Sequence, residues 1–129
     1  MTSDALNDID LRVIQTFSFV NNRRPKAEAL ATKAMAAQGV QTPDAIASPV
    51  GVAQAYDAVY LLASAVNTAH STQGTAIRDA LEQLPSYEGV IKRYAPAFTR
   101  TRHDALDSRQ VLFVRMKADG YITPIRQVP

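Results

Sequence analysis

The chain contains no cysteine and no tryptophan. Without cysteine there is no disulfide framework, no thiolate metal site and no cysteine nucleophile. That absence does not fix the compartment, because cysteine-free chains occur in the cytosol and the periplasm alike. Glycine is scarce too. Gly39, Gly51, Gly74, Gly89 and Gly120 are scattered, and none forms a phosphate loop or a dinucleotide fingerprint. Net charge is only +2 over 129 residues. No strong field therefore draws the chain to nucleic acid or an anionic membrane. There is no nucleophile elbow and no paired-histidine zinc motif. His103-Asp104 reads as a solvated turn rather than a metal site. The expectation is a non-enzyme with no cofactor, no metal and no nucleic-acid partner.

Residues 1–10 carry three acids and no apolar run, so no secretory signal is read there. Residues 49–69 are long enough to cross a bilayer, but Gln54, Asp57, Ser64, Asn67 and many alanines argue against insertion. At 129 residues, 47% hydrophobic, the chain is long enough to bury about two-thirds of its surface as one domain.

What is present is periodicity. Residues 10–20 alternate as a strand, with Leu11, Val13, Phe17 and Phe19 on one face. Pro25 suits the first turn of a helix whose apolar face is Ala27, Leu30, Ala31, Ala34 and Met35, and Gly39 stops it. Residues 40–48 read as a loop, the one place for a crossing between lobes. Ser48-Pro49 then opens a long helix to about His70. That helix is apolar nearly all round, with Val52, Tyr56, Val59, Leu61 and Val66, and should have almost no solvent face. A further helix starts at Ser71 or Thr72, carries Ile77, Ala80, Leu81 and Leu84, and ends at Pro85.

Residues 87–94 form a short strand, with Gly89 marking a bulge or a close approach. Residues 95–108 are irregular. Residues 109–117 alternate with both faces apolar, which predicts cover on both sides. Ala118-Asp119-Gly120 turns into a return strand at 121–125. The fold class is α/β, in the order β-α-α-α-β-β-β.

Lys92, Arg93, Arg100 and Arg102 flank Tyr94 and Phe98, which reads as a solvated loop anchored by its aromatics. Asp57 is the single charge in the long helix. It either bonds backbone amides or an arginine, in a polar seam with Ser64 and Tyr60, or holds a ligand's ammonium group; the structural role is favoured.

Three segments resemble the Leu/Ile/Val-binding-protein family. They are the Tyr56-Asp57-Ala58 helix, the Ala76–Glu82 stretch after it, and the run from Tyr87-Glu88-Gly89-Val90 through His103-Asp104-Ala105-Leu106 to Asp119-Gly120. The resemblance implies part of a type I periplasmic-binding-protein lobe, residues 1–129 being a single C-terminal fragment of a two-lobed solute-binding protein. Within it, 1–47 match a second-lobe strand and helix loosely, and 48–129 supply the Tyr-Asp-Ala helix, the next helix and the closing strands. It further implies an extracytoplasmic receptor of an ABC importer for branched-chain amino acids or related small carboxylates, with an ABC permease as partner. The positions bordering the ligand cleft would be Val50, Gly51 and Gln54, with no aromatic ring among them. Only about the last third of such a protein is represented. Its apolar surfaces lack walls, so a homodimer is expected. The alternatives are a cytoplasmic ligand sensor on the same scaffold and a dimerising module that binds no solute.

Overall fold

The computed structural model describes residues 9–125. The opening stretch inspected for a signal therefore lies almost wholly outside the described residues. Strands and helices follow the order β1 (Arg12–Gln15), α1 (Pro25–Gln38), α2 (Pro49–Ala69), α3 (Gly74–Leu81), β2 (Tyr87–Glu88), β3 (Arg93–Tyr94), β4 (Leu112–Met116) and β5 (Ile122–Pro124). Short 3-10 turns sit at Pro43–Ala45 and Ser108–Gln110. No helix among the described residues is long and apolar enough to cross a membrane. The chain divides into two compact units: residues 9–52 with 108–125, and Ala53–Asp107.

The first unit is built on an antiparallel sheet in the order β1-β4-β5. Val13 pairs with Val114 and Ile14 with Phe113. Val114 is fully buried, as the alternation of β4 requires. The strand expected over 10–20 stops at Gln15; Phe17 and Phe19 are buried beyond its end, their rings edge-to-face at 4.8 Å. Helix α1 starts on Pro25 and buries Ala27, Ala31 and Ala34 at helical spacing. Gly39 closes it at φ 68°, a left-handed conformation that glycine adopts without a Cβ penalty.

Residues 40–48, read as a crossing, stay within this unit because they are tied to it. The Ala47 N–H donates to Gln38 Oε1 at 2.7 Å, and Lys117 Nζ lies 2.9 Å from Asp44 Oδ2. Among the described residues, the expected cover on both faces of β4 is not found. Ile14 is 64% exposed and Phe113 46% exposed, a cross-strand pair on the open face of a sheet that has only three strands.

The second unit runs from Ala53 in α2 to Asp107. Ala53, Asp57, Leu61 and Ala65 form a buried stripe at i, i+4 spacing. Leu61 and Ala65 pack with Ala80, Leu84, Tyr94 and Ala97, and Ile77, Leu81 and Phe98 close around them. The near absence of a solvent face expected for this helix is overturned: Val59, Tyr60 and Leu62 are 63%, 49% and 47% exposed. The cause is geometric. Within this unit α3, the β2-β3 hairpin and the loop after it pack on the Leu61/Ala65 side.

Two further boundaries differ from expectation. Helix α3 begins at Gly74 rather than 71 or 72, because Ser71 Oγ accepts the Gln73 N–H and holds a turn there. Helix α3 also stops at Leu81, short of Pro85, and Leu84 is buried from the following turn. The single strand expected over 87–94 is a hairpin of two two-residue strands, in which Gly89 N–H donates to Lys92 O at 2.9 Å. Residues 95–107 are irregular, as read. Their organiser is Arg102, whose guanidinium donates to the carbonyls of Pro96, Ala97 and Asp104.

Candidate functional site

The centre of the second unit is Asp57, 2% exposed. Its Oδ1 accepts the Val90 N–H at 2.7 Å; its Oδ2 accepts the Ile91 N–H at 3.0 Å and the Tyr94 hydroxyl at 2.9 Å. A buried carboxylate is tolerated when donors satisfy its lone pairs, and three do so here. Helix periodicity puts Asp57 on the buried stripe; the turn of the β2-β3 hairpin brings two consecutive amides to it. Of the two readings of this residue, the structural one holds, through backbone amides and a tyrosine rather than an arginine. The seam with Ser64 and Tyr60 is not made: Ser64 Oγ donates to the Tyr60 carbonyl of its own helix.

Gly89 shows how closely the hairpin lies on that carboxylate. A Cβ there would come within 2.6 Å of both Asp57 Oδ2 and Tyr94 Cε2. The close approach anticipated at this glycine is thus to a carboxylate and a ring. Burial, followed by the charge of Asp57, pushes the neighbouring Tyr87 hydroxyl up to about 12.

Beside the clamp lies a hollow of about 330 Å³. Ala58 and Leu61 of α2, Ile91 and Tyr94 of the hairpin, and Phe98 and Leu106 of the loop give it an apolar lining. Polar groups enter from Gln54, the edge of Asp57, His103 and Asp104. His103 Nε2 stands 3.3 Å from Glu82 Oε1. Two cations of this loop are engaged: Lys92 Nζ lies 3.4 Å from Asp107 Oδ2 and 5.6 Å from the Tyr94 ring centroid, and Arg102 is spent on carbonyls. Tyr94 is buried and Phe98 half-buried, so the basic-aromatic interleaving is an anchored loop face.

The three positions singled out for the cleft all fall at the start of α2. Val50 is half-buried, Gly51 is exposed, and Gln54 is exposed and lines the hollow. Val50 and Gly51 belong to the first unit and Gln54 to the second. The remainder of the hollow's lining was not recognised as a site in the sequence. The sequence offers Asp57, the Tyr94 and Phe98 rings and the His103-Asp104-Ala105-Leu106 run as separate signals, and nothing in it joins them into one site.

Comparison with known proteins places the fold. The chain is similar to a solved structure of a type 1 periplasmic binding protein from Bordetella pertussis Tohama I, with a TM-score of 0.68 and 23% identity over 88% of this chain. The chain spans 33% of the length of that protein. It therefore carries part of the type 1 periplasmic-binding-protein fold, of mixed helices and strands. No protein-family model matches the sequence, and no curated protein matches it.

Proposed function

We propose that the chain is the C-terminal part of a two-lobed solute-binding protein, the extracytoplasmic component of an ABC importer for branched-chain amino acids or related small carboxylates. The observation that carries this reading is the fold likeness over 88% of the chain, set against the 33% of the longer protein that it spans. Val50, Gly51 and Gln54 would border the ligand cleft of that receptor. Such a protein binds rather than catalyses. Closure of the lobes over the solute shifts the open–closed equilibrium and presents a distinct surface to the permease.

The test is genetic and calorimetric. An in-frame first lobe upstream, with permease and ATPase genes alongside, is the expected context. A complete receptor assembled from it should release heat with an amino acid or small carboxylate. A complete receptor silent to that whole panel would overturn the import reading. A cytoplasmic sensor on the same scaffold would show the ligand response without transporter genes nearby.

A second reading, a dimerising module without a solute, is favoured by one observation. Val59, Tyr60 and Leu62 on one unit, and Ile14 and Phe113 on the other, leave apolar side chains in water. A homodimer of the isolated chain is expected on the same ground. Sedimentation at micromolar concentration should show a dimer, and a compact monomer would exclude it.

A further inference from the structure

We propose that the hollow in the second unit is a binding site for a small organic cation, a primary amine on a short hydrocarbon or aryl body. The inference uses only residues of that unit and does not depend on the transport reading. Its volume, about 330 Å³, falls at the lower end of the roughly 300–1,000 Å³ of ligand pockets, and its lining has their usual character, apolar walls with few polar groups.

Charge decides the class of ligand. Asp57 and Asp104 contribute to the lining, and no lysine or arginine does. The nearby cations are already held, Lys92 by Asp107 and Arg102 by three carbonyls. The Asp57 oxygens are filled by three donors, so Asp57 supplies field rather than a contact. Asp104 differs. It is exposed, and its carboxylate faces solvent with no protein hydrogen bond or ion pair among the described residues, while its carbonyl is fixed by Arg102. An acceptor without a partner at the mouth of an apolar hollow suits an ammonium group. Below it, the Phe98 ring and the Leu61 and Ile91 side chains suit the ligand's body. An anion would meet two carboxylates and, among the described lining residues, no lysine or arginine, while the His103 ring stands against Glu82. That arrangement selects against it.

The experiment is a nuclear magnetic resonance titration of the whole chain with phenethylamine, set against 3-phenylpropanoate, an anion of nearly the same shape. The amine should move the resonances of Leu61, Ile91, Phe98 and Leu106, and bind at least about tenfold tighter than the anion, the ratio of one charge-assisted hydrogen bond. Asp104→Asn should remove that preference while leaving the circular dichroism spectrum unchanged. Ala58→Phe, at an exposed helix position that lines the hollow, should abolish binding with Asp104 intact. Equal or tighter binding of the anion, no effect of either variant, responses mapping elsewhere, or no response at millimolar amine would each overturn the proposal. None of these outcomes bears on the import reading, whose test is the complete receptor.

Discussion

Two aspartates join distant parts of this chain, one in each unit, and they do so under opposite conditions. Asp57 reaches across more than thirty residues to Val90, Ile91 and Tyr94 from a position 2% exposed. Asp10 reaches across 105 residues to Arg115 and also pairs with Arg12, with all three side chains in solvent. Arg12 and Arg115 are register partners on β1 and β4, so Asp10 sits between two like charges that would otherwise face each other. Both acids are fully served by donors. What separates them is the fate of the donors if the acid is removed. Around Asp57 they are stranded without water; around Asp10 water replaces the acid at once.

The comparison is broken most severely by Asp57→Ala. Two amides and a hydroxyl would lose their acceptor in the interior, at a cost on the order of 3–5 kcal/mol. Urea unfolding should show that loss, with the tertiary signal of Tyr94 lost first. Gly89→Ala should come next, at about 1–3 kcal/mol, because neither the locked carboxylate nor the buried ring can withdraw from the new methyl group.

Asp10→Asn should have the smallest effect, and its pH dependence sharpens the contrast. Hydrogen bonding from Arg12 is the main cause that holds the Asp10 carboxyl below its ordinary value; desolvation opposes it, and the hydrogen bond and charge of Arg115 add to the lowering. A lowered folded value means that its contribution is present above the unfolded carboxyl value of about 3.9 and is lost as pH falls through the folded one. The wild type and Asp10→Asn should therefore converge in stability at acid pH. They should differ slightly at neutral pH and low salt, and converge again at high salt.

Much of this was legible in the sequence where one residue forces one geometry. Pro25 and Gly39 bounded α1, Pro49 opened α2, and the Asp57 carboxylate inside an apolar stripe announced a need for donors. Gly89 announced a close approach, and the structure shows to what. The failures share a cause. Apolar periodicity reports a capacity for burial, and it does not say whether a wall exists. Val59 and Leu62 on α2, and Ile14 with Phe113 on the sheet, have that capacity and lie open. The hairpin at 87–94 was hidden because its strands are two residues long, too short for alternation to register. The hollow was hidden because its walls come from three separate segments, between Gln54 and Leu106, that no sequence pattern joins. The donors brought to Asp57 and the apolar packing of Leu61 against Tyr94 and Ala97 draw those segments together, and the three carbonyls gathered by Arg102 shape the loop.

The most direct test of this account is amide hydrogen exchange at Val90 and Ile91. If the Asp57 carboxylate organises the second unit, both amides exchange in the wild type only as slowly as that unit opens, and Asp57→Ala releases them by orders of magnitude. Wild-type exchange at Val90 and Ile91 as fast as at exposed Arg100 would contradict it, and the hollow built on that clamp would lose its frame.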